Sequence, residues 1–132
     1  MGADDMTKQA ALYKFFSSFG IPAYPDTAVP DEGSPEWVGY PFLTYEVITS
    51  NWGGGTVSLA VQLFYNTESE AVPNAKAGEI ENALGLGGII LPCDSGIIWL
   101  NAGSPFCQNF LDDENKSIKR RYILVDADFL TG

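Results

Sequence analysis

The sequence predicts an α+β domain with two helices packed on one face of a largely antiparallel four-stranded sheet, in the order α-β-β-α-β-β. Three observations predict it. Leu12, Phe15, Phe16 and Phe19 form an apolar stripe of helical period, Val57–Tyr65 alternates strictly, and Ile123–Phe129 alternates again. A length of 132 residues fits a single domain, 1–132, large enough to build a core without metals or disulfides.

The first helix opens at Thr7, whose hydroxyl suits an N-cap, and stops at Gly20, with Pro22 barring continuation. From Pro25 to Pro41 four prolines, two glycines and many acidic or small polar residues erase all periodicity, which predicts a long extended loop over 25–41. Loops of this length without structure are uncommon inside compact domains and are usually functional or disordered. Trp37 and Tyr40 give its far end something to anchor.

Phe42–Asn51 reads as a strand with Leu43, Tyr45 and Val47 on one face and Thr44, Glu46 and Ile48 on the other. Gly53–Gly55 supplies a turn, and Thr56–Asn66 returns as the second arm of a hairpin. Pro73 then suits the first turn of a helix, with Ala77, Ile80, Ala83 and Leu84 as its apolar stripe and Gly85 as its end. Two short apolar runs follow, Gly88–Leu91 and Gly96–Leu100, separated by a turn at Pro92–Ser95. Arg121–Phe129 closes the sheet, with Ile123, Val125, Ala127 and Phe129 inward and Tyr122, Leu124, Asp126 and Asp128 opposite.

Seventeen acidic residues against seven basic ones give a net charge of −10, the wrong sign for gripping nucleic-acid phosphates. Met1–Asp5 is acidic where a secretory leader is basic, and no apolar run reaches the ~20 residues that cross a bilayer. Cys93 and Cys107 lack a metal-ligand spacing and read as free thiols of a cytosol-assembled chain.

The absence of histidine removes the commonest general base and the usual nucleophile triads. Gly53–Gly55 lacks the Lys–Ser/Thr tail of a phosphate loop. Asp126 and Asp128 share a strand face, as a carboxylate-only hydrolase requires, and Asp112, Asp113 and Glu114 could gather calcium. Both groups also suit an exposed or subunit-facing acidic surface. Trp37, Trp52 and Trp99 fit either a sugar-stacking platform or a protein interface. These residues predict no catalytic site, no cofactor and no metal, and leave a carbohydrate- or protein-binding module as the alternative to a structural subunit.

Taken in order, "FFSSFGIPAYPDTAVP", "GYPFLTYEV", "VSLAVQLFYN", "AKAGEIENALG" and "IKRRYILVDADFLTG" resemble the tail-terminator (tail-completion) proteins of long-tailed bacteriophages and prophages. The resemblance implies a structural virion protein at the head-proximal end of the tail tube, assembled in the bacterial host cytoplasm. It implies a homo-oligomeric ring, commonly a hexamer, that contacts the tail-tube protein and a head-neck connector. DNA would pass through it without specific binding, which the acidic balance suits. The stretch Leu86–Asn109 is longer than this outline needs. A ring subunit requires two complementary patches. The candidates are the loop residues Asp31, Glu32, Glu36 and Trp37 and, opposite them, the basic cluster Lys116, Lys119, Arg120 and Arg121.

Overall fold

The computed structural model describes residues 7–37, 39–46, 56–93, 96–111 and 118–131. The remainder of the first strand (47–51), Trp52, the Gly53–Gly55 turn, Asp112–Glu114 and Lys116 lie outside the described residues, as do the first residues of the chain.

Helix α1 spans Lys8–Phe16, and Thr7 caps it by accepting a 3.0 Å hydrogen bond from the Ala10 amide on its side-chain hydroxyl. A 3-10 turn, Ser17–Phe19, carries the chain to Gly20, at φ 83°. Strand β1 (Ala23–Pro25) follows, then β2 (Phe42–Tyr45), β3 (Thr56–Asn66), α2 (Ala71–Leu84), β4 (Ile89–Cys93), β5 (Gly96–Leu111) and β6 (Ile118–Thr131). No helix among the described residues is long and apolar enough to cross a membrane.

The sheet corrects the sequence-based expectation. It has six strands, not four, in the order β1-β2-β3-β6-β5-β4, and it is mixed and curled into a half-barrel. β1 runs parallel to β2, and every other neighbouring pair is antiparallel. Three residues bounded by prolines carry no alternation, so β1 leaves no pattern to read. The parallel pair also explains the long loop. Two parallel neighbours need a crossover of a dozen or more residues, and the segment after Pro25 is that crossover. The two short apolar runs near residues 90 and 100 are β4 and the start of β5, which continues far beyond Leu100.

The curl has a local cause in β5. Ala102 pairs with Val125 and Cys107 with Ile123, so residues 103–106 stand opposite 124 alone. Such a bulge bends the strand and increases its twist. Gly103 lies so close to Leu124 that any side chain there would collide with the Leu124 backbone.

One core fills the inner face. Leu12, Phe15 and Phe16 of α1 and Ala77, Ile80 and Leu84 of α2 join Leu43, Tyr45, Leu59, Val61, Leu63, Ile98, Leu100, Ile123, Val125 and Ala127 in a single cluster. Phe16 is fully buried and stacks on Tyr45 with ring centroids 4.9 Å apart. Helix α2 lies over β3, β6 and β5, whereas α1 touches both edge strands, β1 and β4. The sheet therefore curls until its two edges meet the same helix.

Candidate interaction surface

The inner face holds one charged group with no exposed surface. Extending the alternation Phe129, Ala127, Val125, Ile123 two steps back brings Arg121 and then Lys119 inward, and both are buried. Arg121 Nη2 donates to Glu70 Oε1 at 2.6 Å, and Nε donates to Asn74 Oδ1 at 2.9 Å. Nη1 donates to the Arg120 carbonyl at 3.1 Å. Glu70 caps α2 and Asn74 sits in its first turn, so the guanidinium fastens that helix end to β6. A cation taken out of water needs this full set of partners. Burial also pushes up the Cys107 thiol on the neighbouring strand, against the opposing pull of Arg121, and both Cys93 and Cys107 are free thiols.

Arg120 points to the opposite, outer face. Its Nη2 donates to Gln62 Oε1 at 2.7 Å, and its guanidinium lies 5.4 Å from the centroid of the Phe64 ring. Phe64 stacks on Phe42 at 4.8 Å, and Tyr24, Trp37 and Tyr40 pack around Phe42 at centroid distances of 5.9, 5.2 and 5.5 Å. The crossover loop thus folds over the outer face of β1–β3 and seals it, leaving Phe42 and Thr44 buried on the side away from the helices. Trp37 is half-buried in this cluster, and Asp31, Glu32 and Glu36 are exposed around it.

The residues of the basic cluster expected to face loop acids of another copy are divided between the two faces of β6. Arg121 is spent on Glu70, Lys119 is buried, Arg120 serves the aromatic cluster, and Lys116 lies outside the described residues. The parity of β6 carried this signal, since Arg121 and Lys119 share their face with Ile123. Among the described residues Lys14 is the one basic side chain that is exposed, whereas Asp26, Glu68, Glu70, Glu79 and Glu81 are exposed in addition to the loop acids.

The other half of the outer face is uncovered among the described residues, and Trp99, Asp126 and Asp128 are the residues of it that stand out in the sequence. Ile90, Trp99 and Leu130 are 59%, 40% and 56% exposed, which is unusual for large apolar side chains in strands of one sheet. Ile90 pairs with Trp99 across β4–β5, Trp99 with Asp128 and Ile97 with Leu130 across β5–β6. The indole is fixed in place, because Nε1 donates to the Gly87 carbonyl at 2.9 Å. Gly88 permits that approach: at φ 78°, any side chain there would run into the indole and the Leu100 carbonyl.

Asp126 and Asp128 border this stripe, accepting hydrogen bonds from the Ser58 and Thr56 hydroxyls respectively. No group of three or more metal-ligating side chains forms among the described residues. A pocket of about 410 Å³ opens between the end of α2 and β5, lined by Glu81, Asn82, Gly85, Leu86 and Ala102. Its one titratable side chain is Glu81. Comparison with protein families, with curated proteins and with solved structures finds no match to this chain.

Proposed function

We propose that this chain is a structural subunit of a phage tail, a tail terminator whose copies form a ring at the head-proximal end of the tube. One observation supports the reading most directly: the exposed charge of the described residues is predominantly negative, with Arg121 and Lys119 buried. Of the six described basic side chains only Lys14 is exposed, while the net charge is −10. Such a surface repels phosphates, which suits a conduit that DNA must traverse without sticking. The order of sequence phrases that resembles the tail terminators supplies the rest.

A sugar-binding module is less well supported. Of its three candidate tryptophans, Trp37 packs on Tyr40 and Phe42, Trp52 lies outside the described residues, and Trp99 is the one that is exposed. Solution mass and negative-stain microscopy test the proposal. A closed oligomer with a central opening, and no retention of linear duplex DNA at low salt, is the expected result. A chain that stays monomeric up to about millimolar concentration, where even weak ring contacts of micromolar strength are saturated, rejects it.

A further inference from the structure

We infer that the uncovered stripe on the outer face of β4–β6 is the seat of a different protein chain, one that presents apolar side chains flanked by lysine or arginine. The stripe consists of Ile90, Ile97, Trp99 and Leu130, with Asp126 and Asp128 along its border. Its centre has the properties of a binding anchor. Trp99 is large, its indole is immobilised by the bond to Gly87, and its exposed surface costs little further side-chain entropy to cover. Ile90 and Leu130 extend the apolar area on either side of it.

The border identifies the occupant. Asp128 is the direct cross-strand neighbour of Trp99, and Asp126 is that of Asn101. Anything that covers the indole is brought beside two carboxylates. Each of these accepts a hydroxyl hydrogen bond and keeps its charge unmatched by a cation within the stripe. A partner with basic residues beside its apolar ones gains attraction at this border. A second copy does not. Among the described residues its exposed side chains carry far more carboxylates than cations, with Lys14 the one fully exposed basic side chain and Lys8, Lys76 and Arg120 partly covered. Like charges brought together on contact oppose binding, which disfavours self-association through this face.

The inference does not depend on ring formation, since the stripe belongs to one subunit and its occupant to another kind of chain. The test uses the full chain and a short blocked peptide of alternating lysine and valine, with a glutamate–valine peptide as control. Amide and methyl NMR shifts are followed at low and high salt. The expected result is saturable shifts at the Trp99 indole N–H and at Ile90, Ile97 and Leu130 with the lysine peptide only. Its affinity should fall roughly tenfold or more as salt screens the charges. Asp126→Asn with Asp128→Asn should weaken binding several-fold, and Trp99→Ala should weaken it at least as much. Because a Trp99 variant could disturb β4, Leu130→Ser serves as a second probe at an exposed position, and a native-like spectrum establishes that each variant is folded.

Three outcomes overturn the inference. The lysine peptide shifts residues away from the stripe or none at all. The glutamate peptide binds there equally well. Or the peptide-free protein shows concentration-dependent shifts at the stripe that Leu130→Ser abolishes, which makes a second copy the occupant. A monomeric chain that binds the lysine peptide at the stripe rejects the ring and leaves this inference standing.

Discussion

The outer face of this sheet divides into two halves built from similar residues with opposite fates. Over β1–β3, Phe42 stacks on Phe64 and is covered by Tyr24 of β1 and by Trp37 and Tyr40, which the crossover loop delivers. Over β4–β6, Trp99, Ile90 and Leu130 have no such cover and remain substantially exposed. Hydrophobicity does not distinguish the halves. The parallel β1–β2 pair does, because it obliges the chain to cross the outer face once, on one side only. Trp37 therefore finds its partners within the subunit, whereas Trp99 meets solvent.

Substitutions in the two halves should separate accordingly. Phe42→Ala removes the centre of the covered cluster and should cost about 3–5 kcal/mol in chemical denaturation, comparable to Phe16→Ala in the inner core. A loss below ~1 kcal/mol would show that the loop does not seal its half and would erase the contrast.

The inner face supplies a second reference through pH. Burial, assisted by the nearby Tyr13, pushes the Tyr45 hydroxyl up to about 12, above its ordinary value of 10.0. A group whose folded value is raised stabilises the protein fully below its unfolded value, and loses that contribution as pH climbs through the folded one. Stability should thus hold up to about pH 10 and fall between about 10 and 12. Tyr45→Phe should remove its share of the alkaline loss. An unchanged alkaline slope in that variant would mean that the hydroxyl is not shielded beneath α1.

The smallest effect belongs to the uncovered half. Leu130→Ser should change unfolding stability by about 1 kcal/mol or less, because Leu130 is already 56% exposed. A loss of 2 kcal/mol or so would place Leu130 among the sealed residues and make the two halves alike.

The legible parts of the fold were those where one local rule acts alone. The Thr7 cap, the stripe from Leu12 to Phe19 and the alternation of β3 all follow from period and capping. What escaped depended on distant partners. Ala23–Pro25 is a strand only because β2 lies beside it, and β5 continues past Ser104–Pro105 only because β6 carries it through the bulge. The basic run obeys two competing rules. Lysine and arginine are rarely buried, so composition argued for the surface, while the two-residue period of β6 argued for the core and won at Arg121 through Glu70 and Asn74. Trp99 was noticed as an aromatic, but only the register across three strands shows that Ile90 and Asp128 are its neighbours.

β6 is the last strand in the chain and a middle strand in space, hydrogen-bonded to β3 on one side and β5 on the other. Among the described residues the strands made before it form two separate pieces of sheet, β1-β2-β3 and β4-β5, which β6 joins. On the ribosome the nascent chain must therefore wait until residues up to about Thr131 have left the exit tunnel before those pieces can be joined. Until then the apolar faces of both pieces and the stripe of α1 stay unprotected, the condition in which growing chains call on chaperones. Native contacts that span so much of the sequence also make the search slow for a domain this small. A ribosome stalled a dozen codons short should hold a protease-sensitive chain, and one stalled with β6 fully outside the tunnel should hold a resistant one.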